Sequence, residues 1–360
     1  MRIRLVLGLL AAALAVILPG ASLAADGPAE GAAAAPAAKS GASWAAASIA
    51  AVVEAGLMGP DVASFRPDDP LTRGDLHAAL VGLGRRPAPP ANPARVVTLR
   101  ELDAQLVAAV GGLPASRAIR LAATAAGLSP TAMLGTETVA RLLGLRLNHP
   151  AADESLERLP NDPAPRAEAA YSLAKVLALD PARVAALVRQ AQALSFPTLD
   201  ALQTEVVSRG LRLVGFPYVW AGTSEKAQRV WSAKGAAVPA PGGFDCSGLV
   251  WRVYRLEPFV TAPSLSSVIV GRTTYQMSGE VKPALRIAAA DLAPGDVMFF
   301  GSKGPKSKPA QVGHTGIYVG GGWFVHSSGA GVTLQPFEGW YAKTFAWGRR
   351  PIAEATALAA

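Results

Sequence analysis

The sequence predicts an α+β protein with a mainly α-helical N-terminal region and a C-terminal domain that combines helices with strands. Aromatic residues divide the chain, because six of its seven tryptophans lie at or after Trp220 whereas the first half is rich in alanine and leucine. The short apolar run from Val297 to Phe300 suits a buried strand. At 360 residues, the chain is long enough for two folded parts that each bury a sizeable core.

The N-terminus has the pattern of an export signal. Arg2 and Arg4 precede an apolar run from Leu5 to Leu18, and the small-residue exit Ser22-Leu23-Ala24 follows. A membrane anchor is the alternative interpretation, but the apolar run is short for a membrane span. We therefore expect a signal peptide over residues 1–24 and a secreted protein.

Composition divides the rest of the chain into four segments. Residues 25–43 contain little except alanine, glycine and proline, which cannot bury a core and indicate a linker. We expect a helical region over residues 44–195 and a second domain over residues 196–351, introduced by a helix from about Leu199 to Val214. The tail, residues 352–360, carries no pattern that predicts a structure.

The helical region contains signs of an internal repeat. Thr72 and Asp75 form a variant of the capping box that starts a helix, and Thr98–Glu101 repeats the device. Arg166–Ala169 echoes Arg73–Leu76 in its residue types. Because the intervals between the related segments are unequal, they predict an imperfect repeat rather than a fixed-period solenoid.

Cys246 is the only cysteine of the chain. An unpaired thiol in an exported protein is inert and buried, bonded to another chain, or retained for its reactivity. Apolar residues at helical spacing after Cys246 place it in the first turn of a short helix, with Asp245 as a plausible N-cap. The free N–H groups of that turn favour a thiolate, although the Asp245 charge opposes it. The pattern favours a nucleophile that needs an adjacent base.

Two of the four histidines lie in one predicted hairpin, and they are candidates for that base. His314 and His326 flank the triple-glycine stretch Gly320–Gly322. A three-residue loop pairs Gly316 with His326 and puts both imidazoles on one face, whereas a two-residue loop would separate them. One imidazole then takes the thiol proton while the other orients it. His77 and His149 belong to the helical region, where surface or core positions explain them better than catalysis.

Five ordered motifs across roughly residues 199 to 350 resemble those of NlpC/P60 cell-wall peptidases. They are Gly215-Phe216-Pro217-Tyr218-Val219-Trp220-Ala221-Gly222-Thr223, Gly243-Phe244-Asp245-Cys246-Ser247-Gly248-Leu249-Val250, Leu292-Ala293-Pro294-Gly295-Asp296-Val297-Met298-Phe299-Phe300, Gly313-His314-Thr315-Gly316-Ile317-Tyr318 and Val325-His326-Ser327-Ser328. The resemblance implies a papain-like α+β fold for the C-terminal domain. It also implies a cysteine-type endopeptidase that hydrolyses peptidoglycan stem peptides, between γ-D-glutamate and a diamino acid, through a thioester.

The resemblance assigns roles to individual residues. It makes Cys246 the nucleophile, His314 the base and His326 the orienting residue. Tyr218 matches the tyrosine beside the nucleophile in this family, and its hydroxyl is a candidate for oxyanion support, with an ordinary core position as the alternative.

Two features near the nucleophile each have two possible roles. Asp245 and Ser247 flank Cys246 and are candidates to meet a substrate amine, although helix capping explains both residues nearly as well. The sequence departs from the family pattern between Thr223 and Gly242, where residues 224–241 form an insertion of helical composition. This insertion either walls the cleft or is a solvated surface excursion.

Charge and residue types limit the remaining partners. The formal net charge is +8, which suits anionic wall polymers, whereas no recognised nucleic-acid module appears. One cysteine and two catalytic histidines leave no cluster for a structural metal, and no cofactor is indicated.

The first helical unit resembles an S-layer homology module, a family that anchors exported proteins to wall polymers. We therefore expect a cell-wall associated protein that contacts peptidoglycan and a secondary cell-wall polymer, with plain helical scaffolding as the alternative for this region.

Two other functions are compatible with the motifs. The same fold hosts several chemistries, so an amidase or acyltransferase acting on another substrate is one alternative. A wall-binding protein with a vestigial catalytic site is another, against which the intact Cys246, His314 and His326 argue. The sequence does not indicate an oligomeric state.

Overall fold

The computed structural model describes residues 43–232 and 235–359. The predicted signal peptide, and the predicted linker except for its last residue, lie outside the described residues. Within the described ranges, a helical N-terminal half precedes a half with an antiparallel sheet, which confirms the predicted α+β organisation. One apolar core cluster runs through both halves.

The described N-terminal half consists of helices that pack against one another. α1 packs on α6, α4 packs on α5 and α7, and α3 packs on α5. Their bounds are α1 Ala46–Glu54, α2 Arg73–Gly82, α3 Leu99–Ala109, α4 Leu113–Ala125, α5 Leu134–Leu142, α6 Arg166–Leu177 and α7 Pro181–Gln192.

Three extended segments of the helical half are hydrogen-bonded to one another in a ring. The Leu71 N–H donates to Ala164 O (2.7 Å), the Ala164 N–H donates to Val97 O (2.9 Å), and the Val97 N–H donates to Leu71 O (2.9 Å). Each segment leads directly into a helix, respectively α2, α6 and α3. The ring therefore relates three helix starts, and it includes the predicted capping box at Thr72. At Thr98 only half of the predicted box forms, because Glu101 accepts the Thr98 N–H (3.0 Å) while Thr98 Oγ1 has no partner among the described residues.

The C-terminal half is built on a five-stranded antiparallel sheet in the order β8-β7-β6-β5-β9. Its strands are β5 Val297–Gly301, β6 Val312–Gly320, β7 Trp323–Ser328, β8 Gly331–Pro336 and β9 Phe345–Arg349. Helices α8 (Ala201–Arg212) and α9 (Cys246–Tyr254) pack against this sheet through β6. The predicted helix before the first motif and the predicted buried strand at Val297 are both confirmed.

The predicted helical character of the insertion is wrong, because it forms a hairpin. Strands β2 (Gln228–Trp231) and β3 (Ala237–Ala240) pair antiparallel, with Trp231 opposite Ala237. Side chains alternate along β2, where Val230 is buried while its neighbour Trp231 is exposed. The residues have period-two alternation that a composition count does not detect.

Short elements complete the C-terminal half. β1 (Thr223–Ser224) pairs with β4 (Gly243–Phe244) ahead of the cysteine helix. The tail, whose structure the sequence did not predict, belongs to a helix that packs on α10 and buries Ala355. The remaining helices are α10 Leu265–Val268, α11 Thr274–Gly279, α12 Gly339–Thr344 and α13 Pro351–Ala359.

No single helix in the described part of the chain is long and apolar enough to cross a membrane. The pair α3 and α4 meets the length and composition test jointly, but the two helices are bent by 115° at their junction.

Candidate active site

Cys246 is the first residue of α9, as its helical spacing predicts. The side chain of Asp245 caps the helix by accepting the Gly248 N–H, which confirms the predicted N-cap. Gly248 has no room for a side chain, because a Cβ there would lie 1.9 Å from Gly222 O. The turn that presents the thiol is therefore tightly packed.

The Tyr218 segment pairs with the strand that leads into Cys246. The Phe244 N–H donates to Pro217 O (3.1 Å), and the Val219 N–H donates to Phe244 O (3.2 Å). Tyr218 is thereby placed beside Phe244, two residues before the thiol. Burial, together with the nearby Cys246 thiol, raises the pKa of the Tyr218 hydroxyl, which stays protonated and available to donate.

His314 and His326 meet on neighbouring strands. Gly316 on β6 lies opposite His326 on β7, which confirms the predicted register. His314 Nε2 and His326 Nδ1 are 2.9 Å apart, and both side chains are buried. Gly316 makes space for the second imidazole, because a Cβ at this position would lie 3.0 Å from the His326 Cβ.

The route to this register differs from the predicted three-residue loop. Gly320 pairs with Trp323, so the loop contains only Gly321 and Gly322, and both residues have positive φ. A register shift between Tyr318 and Gly320 adds one residue, Val319, to the first strand. A two-residue loop alone would put His314 and His326 on opposite faces of the hairpin. The bulge shifts the register by one residue and returns both to one face.

The thiol and the imidazoles are neutral in this arrangement. Burial, followed by the charge of Asp245, raises the pKa of the Cys246 thiol to about 12, although the Thr315 and Ser247 N–H groups act in the opposite direction. Burial lowers the pKa of His314 to about 3. The expected stabilisation of a thiolate by the helix start is thus outweighed by desolvation.

Aromatic rings enclose His326. Phe324 stacks on its imidazole with centroids 4.7 Å apart, and Tyr341 meets it edge-on at 5.0 Å. Among the described residues, His326 Nε2 has no hydrogen-bond partner. Burial and the neighbouring His314 lower the pKa of His326 well below its usual value. The pocket therefore fixes the ring and keeps it neutral.

Arg272 is a site residue that sequence reasoning missed. Its guanidinium contacts Asp245 Oδ2 at 3.0 Å and Ser247 Oγ at 2.8 Å. The Asp245 carboxylate is consequently occupied by a cap and an ion pair, and Ser247 also donates to Asp245 Oδ1 (3.1 Å). No local pattern around Arg272 indicates this role, because the contact spans 27 residues of sequence.

The histidines outside the predicted hairpin lie in the helical half, as expected. His149 is buried and pairs with Glu168 at 2.9 Å. His77 lines a cavity of about 290 Å³ with Arg73 and Glu101. Within the described ranges, no group of three or more His, Cys, Asp or Glu side chains is arranged to hold a metal ion.

Comparison with known proteins matches the two halves to different families. Residues 215–350 match the NlpC/P60 family, and residues 37–76 match the S-layer homology domain. A probable endopeptidase of Mycobacterium tuberculosis is 32% identical over 133 residues, which are 37% of this chain and 25% of that protein. A gamma-D-glutamyl-L-lysine dipeptidyl-peptidase of Bacillus subtilis is 23% identical over 148 residues, covering 41% of this chain and 40% of the relative.

Among solved structures, the peptidoglycan hydrolase RipB of Mycobacterium tuberculosis is 23% identical, covers 41% of this chain and 64% of its own, and superposes with a TM-score of 0.30. The alignments to the curated relatives thus span a quarter to two fifths of their lengths. Residues 215–350 thus match the model of the NlpC/P60 family and residues 37–76 that of the S-layer homology domain, the two families that the motifs of this chain resemble.

Proposed function

We propose that the protein is a secreted cysteine peptidase that hydrolyses peptidoglycan stem peptides. The observation that carries this proposal is the placement of the only cysteine at the start of α9, packed against the strands that bring His314 and His326 together. The backbone N–H of Thr315, next to His314, acts to lower the pKa of the Cys246 thiol, so the strand that carries the base also acts on the nucleophile. A buried thiol, an imidazole and an orienting group form the set that nucleophilic acyl transfer requires.

The hydrogen bond between the imidazoles assigns their nitrogens. His314 Nε2 is taken by His326, so Nδ1 is the nitrogen left to act as the base. In this assignment the His314 Nε2–H donates to His326 Nδ1, which fixes the tautomer. Since His314 stays neutral down to a pKa of about 3, its Nδ1 lone pair is free to take the thiol proton as the sulfur attacks.

The reaction then proceeds in two acyl-transfer steps. The Cys246 thiol proton moves to His314 as sulfur attacks the amide carbonyl, and the C–N bond breaks as the His314 imidazolium protonates the leaving amine. The backbone N–H of Cys246 and the Tyr218 hydroxyl stabilise the oxyanion. Water, deprotonated by His314, hydrolyses the thioester and restores the thiol.

The bond cleaved is the one between γ-D-glutamate and a diamino acid of the stem peptide. The family match over residues 215–350 and the Bacillus subtilis relative, named for γ-D-glutamyl-L-lysine, support this choice. The order of the motifs supports a papain-like arrangement of the domain. An amidase or acyltransferase on another substrate, or a binding protein without activity, are outcomes that digestion of peptidoglycan distinguishes.

The helical half serves as the wall-polymer anchor of this enzyme. The S-layer homology match, which ends at residue 76, includes Arg73 at the start of α2. Arg73 pairs with Glu101 at 3.2 Å and keeps about a third of its side chain exposed, so it is accessible to an anionic polymer. An export signal over residues 1–24 is part of the proposal and places the enzyme at the cell wall.

Digestion of purified peptidoglycan by the mature full chain, with mass spectrometry of the fragments, tests the enzymatic proposal. We expect release of fragments cut after γ-D-glutamate, and loss of release in Cys246→Ala and His314→Ala. His77→Ala is the matched control on a soluble stem peptide, because His77 lies in the helical half and should leave turnover unchanged. Undiminished release by Cys246→Ala would refute the proposal, and fragments from another amide would identify one of the alternatives.

A further inference from the structure

The side chain of Asn148 pairs with the main chain of Tyr218 across the two halves of the protein. The Tyr218 N–H donates to Asn148 Oδ1 (2.6 Å), and Asn148 Nδ2 donates to Tyr218 O (3.2 Å). An amide side chain thereby takes the place of a neighbouring strand. Among the described residues, both main-chain polar groups of Tyr218 therefore pair with Asn148.

Two more side chains of the helical half bond the same stretch. Glu154 accepts the Trp220 N–H, and Arg141 on α5 donates to Gly215 O. Together, Arg141, Asn148 and Glu154 bond residues 215, 218 and 220, and we call these three side chains the clamp. The clamp therefore fixes the whole segment that carries the Tyr218 ring.

The clamp also reaches the strand pair that carries His326. Arg141 donates to Ala330 O, in the turn between β7 and β8. Gly331 is required at this contact, because it has a φ of +76° and a Cβ there would lie 2.3 Å from Arg141 Nη1. Gly215, at the start of the Tyr218 segment, also packs closely on the helical half, since a Cβ there would lie 3.0 Å from Glu137 Cγ.

The position of Tyr218 matters because its hydroxyl lies within electrostatic range of the Cys246 thiol, which helps to raise its pKa. Its main chain lies beside Phe244, and Phe244 O accepts the Ser327 hydroxyl at 2.6 Å, next to His326. The segments of Tyr218, Cys246 and His326 are thus joined at Phe244, by main-chain pairing on one side and by the Ser327 hydroxyl on the other. A small displacement of a group in such a site, on the order of 1 Å, lowers turnover by about 100-fold.

We propose that Asn148 is a positioning residue for Tyr218, and that the helical half completes the active site in addition to any anchoring role. The inference rests on the proposed function, since the hydroxyl of Tyr218 is assigned there to the oxyanion. It accounts for the shared apolar core of the two halves and for the polar contacts concentrated on residues 215–220. The clamp acts through main-chain geometry, because each of its three side chains bonds main-chain atoms of the other half.

The first test compares Asn148→Ala with Asn161→Ala in the full chain, using a soluble stem peptide. Asn161 is exposed in the helical half and is the matched control. We expect kcat/KM to fall by about 10- to 100-fold in Asn148→Ala through kcat, and to stay within twofold in the control. Asn148→Asp keeps the acceptor for the Tyr218 N–H and loses the donor, so its activity should be intermediate. Full activity of Asn148→Ala would overturn the proposal.

A double-mutant cycle with Tyr218→Phe separates positioning from general stabilisation. If Asn148 acts through Tyr218, then Asn148→Ala should lower kcat by less than about threefold in the Tyr218→Phe background, because members of one unit are not additive. Equal losses in both backgrounds would overturn the proposal and leave Asn148 with a structural role alone. Melting curves check that each variant folds, and Asn148→Asp replaces Asn148→Ala in the cycle if the alanine variant does not.

Amide hydrogen exchange tests the positioning contact independently of turnover. In Cys246→Ala protein, the Tyr218 N–H should exchange slowly, and adding Asn148→Ala should accelerate it by more than about tenfold while amides of β6 keep their protection. Unchanged exchange at Tyr218 would overturn the proposal even in an active enzyme. If the wild type releases no wall peptide but Tyr218 responds to Asn148→Ala, the proposed function fails and the positioning contact stands.

Discussion

Replacing Asp245 by asparagine should raise the reactivity of the Cys246 thiol. The carboxamide oxygen of the Asp245→Asn variant would still accept the Gly248 N–H and cap α9, so the helix start should survive. The negative charge that helps to raise the Cys246 pKa would be removed, and Arg272 would become an uncompensated cation near the thiol. Asp245→Asn should therefore increase the thiolate fraction.

The magnitude follows from the Cys246 pKa. A thiol with a pKa of about 12 instead of the ordinary 9.0 has about 1000-fold less thiolate at pH 8. Burial is the largest cause and persists in the variant, whereas removal of one nearby like charge lowers a pKa by roughly one unit. The variant should thus react with iodoacetamide about tenfold faster than the wild type at the same pH.

Alkylation rates from pH 6 to pH 10, measured by intact-mass spectrometry, provide the assay. In the wild type, the rate should rise about tenfold per pH unit without a plateau, because thiolate is scarce throughout this range. Cys246→Ser protein reports any labelling elsewhere. A rate independent of pH above pH 6 would refute the reasoning, since it would mean that Cys246 rests as a thiolate paired with an imidazolium. An unchanged rate in Asp245→Asn would show that the Asp245 charge does not act on the thiol.

Four further changes test other contacts. Gly248→Ala should lower the melting temperature and abolish turnover, because its Cβ would clash with Gly222 O, and a wild-type melting curve would contradict this. Arg141→Met should lower the free energy of unfolding in urea by about 2–4 kcal/mol, since two main-chain acceptors lose their donor; a loss below about 0.5 kcal/mol would contradict it. The folded-state pKa of His314, about 3, lies below its unfolded value of 6.5, so unfolded chains bind more protons as the pH falls between these values. Stability should then fall by up to about 1.4 kcal/mol per pH unit below pH 6.5, and His314→Gln should reduce this slope. Arg73→Ala should weaken sedimentation of residues 44–195 with cell walls, and equal sedimentation would leave Arg73 as a helix-start residue.

Local patterns in the sequence predicted the elements whose cause is local. The capping box at Thr72, the helix starts at Thr98 and Cys246, and the strand from Val297 all depend on neighbouring residues, and the structure has them. The Gly316 and His326 pairing was also predicted, although through a different loop. The bulge at Val319 could not be predicted from residue types. Its extra residue shows only in the pairing with the neighbouring strand, which the local sequence does not reveal.

Contacts between distant segments were beyond the reach of the sequence. Arg272 reaches Asp245 across 27 residues, and Asn148 reaches Tyr218 across 70. A single polar residue in an irregular stretch has no periodicity, so neither partner can be inferred before the chain is folded. The hairpin at residues 228–240 was missed for another reason, because alternation over four residues is short enough to be read as helical.

The three-segment ring in the helical half has a consequence for how the chain is assembled. Its Pro70 and Pro165 partners are about 95 residues apart, so the ring closes only after most of the helical half has been synthesised, and closing so long a loop is entropically slow. Asn148 lies within that loop, and Tyr218 follows it in the chain. In a nascent chain, the three segments of the ring are therefore available to pair before the Tyr218 segment is available to dock. Because His314 and His326 are synthesised later still, they can join Cys246 only after the ring and the Tyr218 segment are both available.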